Sequence, residues 1–317
     1  MVKVPRVVAV VPIYFPDAMV SEHVASLSAQ VDEVILVDDG TTGYARVTVD
    51  ALAASGTRVV MHDRNRGIAA ALNTGTSLAL NEGADFVITF DQDTQIPLGY
   101  VVACFEVLSR AAAGAVPVGI VAAGSINGSA VLPHEFEAGI GLMRYAIQSG
   151  MMISADCLHA CGLFDERLVI DAVDTEFCLR AASHGFAVAA AFGTDLIHEL
   201  GEQKPARLFG VRRMRDGVER TYEHHAPFRQ YYISRNAIDL ALRYLTSEPR
   251  WSLANLRSEI INFGVGFAAG PDRGRHLAAA LLGTTHGLVR KRGTLSAGWR
   301  GRLATPRTVS DGSESQR

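Results

Sequence analysis

The chain has 317 residues, 48% hydrophobic and 20% charged, which suits a globular protein with a large core and excludes a wholly disordered one. A formal charge of -3 offers no general basic excess for neutralising phosphates, so no nucleic-acid partner is expected. Four cysteines, Cys104, Cys157, Cys161 and Cys178, lack paired zinc spacing and favour a reduced, cytoplasmic setting.

The first apolar run, "RVVAVVPIY" (6–14), contains Pro12, lacks a small-residue cleavage site and leads straight into a polar loop, so it reads as a buried strand rather than a signal peptide. Met19, Val20, His23, Val24 and Leu27 follow at helical spacing, and "DEVILVDDG" (32–40) is a second strand ending in acids. The pattern repeats: helix over 45–56, strand over 57–63, Ala-rich helix over 67–83, and strand over 85–93, which ends "FDQDT". Such alternation specifies a parallel sheet covered by helices, and ligands collect at the carboxyl ends of its strands. Asp38, Asp39, Asp91 and Asp93 all fall there.

Beyond residue 100 the spacing predicts a helix near 97–113, a strand near 118–124, a polar loop over 127–139, and a strand over 146–154 running into the short helix "ADCLHACG". Cys157 and Cys161 share a face of that helix while His159 points elsewhere, so they read as small buried thiols rather than metal ligands. An amphipathic helix over 173–185 and one or two strands over 186–199 complete this part. From about 228 the chain reads as helical, and 304–317 as a polar, disordered tail. The stretch 111–124 is too short and too broken by Gly and Pro to cross a bilayer.

Paired carboxylates at a strand tip suit a divalent cation, Mg²⁺ or Mn²⁺, whose remaining positions are filled by nucleotide phosphates; the competing reading is a solvated turn or a helix cap by Asp93 or Thr94. The ordered series "PIYFPD", "VDDGT", "NRGIAAALNTG" and "FDQDT" resembles the nucleotide-binding half of the inverting family 2 glycosyltransferases. The resemblance continues through "GMMIS", "GLFDERLVIDAVDTEFCLR", "DLIHELG" and "RQYYISRN", and is nearest the bacterial rhamnosyltransferases that use dTDP-L-rhamnose. It implies an α/β, GT-A (Rossmann-like) nucleotide-diphospho-sugar transferase fold with a C-terminal helical extension. The transferase domain would occupy 1–228, with a nucleotide half to about 95 and an acceptor half after it, and the helical region 229–303.

On single residues, the resemblance puts Pro12 and Tyr14 against the nucleotide base, and Asp38 or Asp39 as acceptor for the pyrimidine N3–H or the sugar. It puts Asn65, Arg66 and Gly67 at the loop-to-helix junction near the nucleotide, and Asp91 and Gln92 in the nucleotide-sugar site. It implies direct metal ligation by Asp93, with Asp91 contacting the ribose, a metal-bound water or the ion, and ligation by His198. Asp174 matches the catalytic base, with Val173 where many relatives have Glu; that departure leaves Asp171 as a rival. Arg235 would clamp the diphosphate. Glu176 and Arg180 would form an ordinary helical ion pair.

The implied activity is metal-dependent transfer, with inversion, of L-rhamnose from dTDP-L-rhamnose to a hydroxyl of a saccharide or lipid-linked acceptor in cell-surface polysaccharide synthesis. Alternatives are another donor, UDP-galactofuranose or UDP-glucose, or a sugar nucleotidyltransferase; the last needs a Gly-rich, basic loop after the first strand, which "VPIYFPD" does not supply. Basic residues among the C-terminal helices suit a peripheral contact with the inner face of the cytoplasmic membrane or, alternatively, a homo-oligomer contact.

Overall fold

The computed structural model describes residues 4–198, 224–270 and 272–303, together with short strand segments between 203 and 223. The expected tail at 304–317 lies outside the described residues. The chain divides into two compact units, Met1–Glu199 and Leu200–Arg317.

The first unit is built on a mixed sheet. Strands β1 (Val7–Ile13), β2 (Glu33–Asp38), β3 (Arg58–Met61) and β4 (Phe86–Thr89) are parallel in the order β3-β2-β1-β4. Helices α1 (Val20–Ser28), α2 (Arg46–Ala54) and α3 (Ile68–Asn81) make the connections. The central strands β1, β2 and β4 are apolar through their middles because both faces are covered: Val8, Ala9, Val10, Ile35, Leu36, Val37 and Ile88 are fully buried, whereas edge strand β3 is only partly covered. Strand order reverses at β1, so its carboxyl end, with that of β4, opens the crevice where such sheets bind ligands.

The all-parallel expectation fails beyond β4. After α4 (Tyr100–Ala113) come β5 (Val118–Ile126), β6 (Ser129–Ala130), β7 (Glu135–Glu137), β8 (Ile140–Met143), β9 (Met151–Ser154), α5 (Ala155–Cys161), α6 (Val173–Ser183) and β10 (Ala187–Leu196). The sheet continues β4-β9-β5-β10-β8-β7, with β6 pairing β5. Strand β9 lies antiparallel between β4 and β5, whereas β10 is parallel to β5. The region expected as a loop over 127–139 holds two short strands, β6 and β7. No helix separates β5 from β9, so nothing imposes a parallel crossover there.

Direction has a chemical consequence. Because β9 runs against β4, the segment that enters it, Gln148–Gly150, lies beside the carboxyl end of β4: the Gly150 N–H donates to the Thr89 carbonyl at 2.7 Å. Gly150 has φ +84°, and a Cβ there would meet Leu196 at 2.3 Å, so this entry turn requires glycine.

The second unit centres on helices α7 (Pro227–Tyr244), α8 (Pro249–Ala269) and α9 (Arg273–Leu288), followed by α10 (Ala297–Leu303). Asp239, 1% exposed, is held by Arg243 and Arg292, each at 2.8 Å, and by Arg290 at 3.4 Å. Burial works to raise the Asp239 carboxyl pKa, but the Arg292 and Arg243 guanidiniums outweigh it and leave it below the ordinary value. Among the described residues no helix is long and apolar enough to cross a membrane.

Candidate active site

Asp91 and Asp93 leave the end of β4 on a turn, and His198 follows the end of β10. An isolated antiparallel bridge between Gln95 and Ile197 ties the two segments, with backbone hydrogen bonds of 2.8 and 3.1 Å. One ligand atom from each of Asp91, Asp93 and His198 lies within 4.8 Å of the others. His198 Nε2 is 3.7 Å from Asp91 Oδ2, and Nδ1 is 3.5 Å from Asp93 Oδ1. Two hard carboxylates and an imidazole, all partly exposed, form a donor set that fits Mn²⁺ or Mg²⁺ bound jointly with phosphate oxygens. Burial works to raise the Asp93 pKa, but hydrogen bonding and charge from His198 take it below the usual value.

The capping alternative for these acids is not what the structure shows: α4 begins at Tyr100 after Gly99. Thr94 instead reaches His198 Nδ1 at 2.9 Å and the Ser149 hydroxyl at 2.6 Å, and Ser149 accepts from the Asp91 N–H at 3.0 Å. Asn127 brackets the His198 backbone, accepting its N–H at 3.0 Å and donating to its carbonyl at 2.7 Å. With Nδ1 engaged by Thr94, Nε2 is the ring atom to face an ion.

Gln148, next to Ser149, connects this cluster to the candidate base. Its N–H donates to Asp174 Oδ2 at 3.2 Å, while Asp174 Oδ1 accepts from the Thr175 N–H at 2.7 Å and hydroxyl at 3.3 Å. Asp174 sits in the first turn of α6, whose N-cap is Ala172, so it is not the cap. Its carboxyl is packed deep although part of the residue remains exposed. That burial raises its pKa, against the two backbone N–H donors, and the neighbouring Asp171 charge pushes the same way.

The approach to Asp174 is strained. Val169 has φ +70° and ψ -62° with an Ile170 N–H to Leu168 carbonyl bond of 2.9 Å, a γ-turn of the rare positive-φ kind. Asp171 and Ala172 follow at φ +64° and +60°. Three such non-glycine residues in four positions persist only where surrounding contacts hold them. One contact is Gly67, at φ +96°: a Cβ there would lie 2.6 Å from the Val169 carbonyl oxygen, so glycine admits the strained loop.

The remaining expected residues separate by role. Asp39 is engaged with its own fold, accepting from the Arg66 and Gly67 N–H groups at 2.8 Å each and paired with His62 at 2.8 Å. Asp38 is 0% exposed; Oδ1 accepts from the Thr41 N–H at 3.1 Å and Oδ2 has no hydrogen-bond partner. Tyr14 is exposed beside half-buried Pro12, and its N–H donates to Gln92 Oε1 at 2.8 Å, which joins the β1 loop to the acidic tip. Asn65 and Arg66 are exposed, with Arg66 3.4 Å from Glu166.

Arg235 belongs to the second unit and is 1% exposed. Its guanidinium donates to the Gly293 carbonyl and, at 2.9 Å, to Asn236, and lies over the Tyr231 and Tyr232 rings at 5.6 and 4.8 Å. In this arrangement it packs α7 rather than presenting a fork to solvent.

The sequence offered Thr94 only as a helix cap and gave no sign of Ser149 or Asn127, because hydroxyl and amide supports have no period of their own. Gln148 was also missed: it is 7% exposed and its amide nitrogen has no hydrogen-bond partner. The four cysteines are buried free thiols, with Cys157 and Cys161 3.9 Å apart at sulfur, and burial pushes Cys178 up to about 12.

The Glu176–Arg180 pair is more than an ordinary surface pair. Glu176 is 2% exposed at 2.9 Å from Arg180, whose other donors reach the Cys161, Gly162 and Leu163 carbonyls at the end of α5. Glu176→Ala leaves that guanidinium without its buried counter-charge and is expected to lower unfolding stability by about 3 kcal/mol in urea titration; a loss under about 0.5 kcal/mol would return it to the surface class.

A family model described as glycosyl transferase family 2 matches residues 8–171, just over half the chain; Asp174 and His198 lie past its end. The chain is 29% identical over 246 residues to the dTDP-rhamnosyl transferase RfbF of Shigella flexneri, covering 73% of this chain and 78% of that protein. Among solved structures it is similar to S. aureus TarS 1–349 in complex with UDP-GlcNAc, at 16% identity and TM-score 0.51 over 86% of this chain and 79% of that one. It spans 45% of the longer S. aureus TarS chain. It is also similar to the mannosyltransferase PcManGT of Pyrobaculum calidifontis in complex with GDP-Man and Mn²⁺, at 17% identity and TM-score 0.50 over 95% of this chain and 84% of that one. At such identities these two likenesses establish the fold, GT-A.

Proposed function

We propose, on the premise that this chain belongs to glycosyl transferase family 2 and is a glycosyltransferase, that it transfers L-rhamnose from dTDP-L-rhamnose to a hydroxyl of a saccharide or lipid-linked acceptor. The observation that carries the proposal is the junction at Gln148–Ser149, where adjacent residues hold the Asp174 carboxylate and the Asp91–Asp93–His198 cluster. A proton acceptor and a site for a departing diphosphate are thereby joined on one rigid strand entry. The donor choice is supported by the 29% identity to a dTDP-rhamnosyl transferase.

In the proposed reaction Asp174 takes the proton of the acceptor hydroxyl as its oxygen attacks the anomeric carbon from the face opposite the leaving group. The anomeric C–O bond breaks and the nucleoside diphosphate leaves with the electron pair, so configuration inverts. Asp91, Asp93 and His198 would hold a divalent cation, which supplies Lewis-acid stabilisation of the diphosphate charge. The imidazole favours Mn²⁺ over Mg²⁺. Asp38, whose buried Oδ2 accepts no hydrogen bond and has only the Arg46 guanidinium nearby at 3.7 Å, is the better acceptor for the pyrimidine N3–H, because Asp39 is already engaged. Thr94, Ser149 and Asn127 fix His198. Asp171 bears on the reaction through its charge near Asp174.

A donor panel tests the specificity. With Mn²⁺ present, release of nucleoside diphosphate is expected to be at least tenfold faster from dTDP-L-rhamnose than from UDP-galactofuranose, UDP-glucose or GDP-mannose, roughly the discrimination one or two well-placed contacts provide. Preference for a UDP-sugar would overturn the donor and leave the reaction class standing.

A further inference from the structure

The net charge of -3 conceals a division along the chain. Residues 1–199 carry 10 Lys/Arg against 23 Asp/Glu, a formal -13, whereas residues 200–317 carry 20 against 10, a formal +10. The basic unit also presents its helices in an unusual sense. On α9 the buried positions are Ala279, Gly283 and Gly287, at spacing i, i+4, i+8. They let α9 approach α7 closely: a Cβ on Gly283 would lie 2.4 Å from the Tyr231 carbonyl oxygen, and one on Gly287 2.7 Å from that of Arg235. The bulky face is the opposite one, where Leu277, Leu281 and Leu288 are 42%, 61% and 59% exposed. A water-soluble helix normally buries its leucines and exposes its small or polar residues; this one does the reverse.

Helix α8 also exposes bulky apolar side chains. Ile260, Ile261 and Val265 are 71%, 50% and 48% exposed on a helix whose buried residues are Trp251 and Ser252, both in its first turn. Past the leucine face of α9 come exposed Lys291, then exposed Trp299, with the Arg302 guanidinium 5.2 Å from its ring. Trp beside basic residues, next to exposed leucines, is the chemistry of a water–lipid boundary.

We infer that the outer faces of α8 and α9 dock on an anionic lipid surface. The occupant follows from charge: a formal +10 unit is attracted to an anionic leaflet, each basic residue near the surface adding to the attraction. A self-complementary pairing of two copies through this face would instead set two cationic units against each other. The inference concerns the second unit alone and is independent of donor chemistry, so its failure leaves the proposed reaction untouched.

The test is vesicle flotation of the full chain, without donor, using phosphatidylcholine vesicles with and without phosphatidylglycerol, at low and high salt, for the native protein and Leu281→Glu. Because Leu281 is solvent-exposed, the substitution has no core to disrupt. Binding is expected to require the anionic lipid, to weaken with salt, and to fall roughly tenfold or more in Leu281→Glu, while nucleoside diphosphate release in solution is unchanged. Absence of binding, or equal binding to neutral vesicles, would overturn the inference. So would a concentration-dependent dimer in light scattering that Leu281→Glu abolishes, since a second copy would then own the face.

Discussion

Asp174→Asn is expected to lower transfer by about 10³-fold while leaving nucleoside diphosphate affinity within about twofold of native. The magnitude is that of removing a general base from a site whose other groups stay in place. Asn keeps the size and one acceptor oxygen, enough for one of the two N–H groups, Gln148 and Thr175, that Asp174 receives on separate oxygens, while its amide nitrogen faces the other. Burial raises the native carboxyl above its unfolded value, so the native state holds this proton more tightly. The contribution to stability is therefore fully present below the unfolded pKa and is lost as pH rises through the native one. At neutral pH Asn removes the cost of the ionised carboxylate but leaves one N–H without its acceptor, so the two effects offset and urea unfolding should show the variant within about 1 kcal/mol of native. The same shift places the acid limb of kcat/KM above the ordinary aspartate range. A dead Asp171→Asn with an active Asp174→Asn would reverse the assignment of the base.

The second large effect is at the acidic tip. Asp93→Ala is expected to lower kcat/KM by about 10² to 10³-fold and to weaken Mn²⁺ and diphosphate binding together, because the anion's affinity depends on the cation that neutralises it. His198→Ala should act in the same direction with a smaller loss, since two carboxylates remain. Thr94→Val keeps every ligand but releases His198 Nδ1, and orienting partners of this kind are worth about tenfold to a hundredfold in metal affinity.

Legibility in the sequence tracked the physics of each feature. Strands β1, β2 and β4 were readable because burial on both faces makes continuous apolar runs, and the partly covered edge strand β3 was readable from its place in the alternation with helices. The acids at 38, 39, 91 and 93 stood out because carboxylates are conspicuous at the tips of such runs. The direction of β9 was not readable: "MMIS" is as apolar as a parallel strand, and direction is a property of the connection before it. That reversal brings Gln148 and Ser149 to the site, so the supports of the acids were hidden with it. Asp38 and Asp39 could not be separated by type; only the backbone donors of Arg66 and Gly67 do so. Arg235 carried the charge expected of a phosphate clamp, yet its tyrosine and carbonyl partners lie within α7 and the segment after α9.

The central claim is that Asp91, Asp93 and His198 hold a cation that in turn holds the donor's diphosphate. Calorimetric titration of dTDP into the protein, with and without saturating Mn²⁺ and with the native chain and Asp93→Ala, tests it most directly. The account predicts that Mn²⁺ tightens dTDP binding at least about tenfold in the native protein, and that Asp93→Ala removes the gain. Equal dTDP affinity with and without the ion, or a gain that survives in Asp93→Ala, would contradict it.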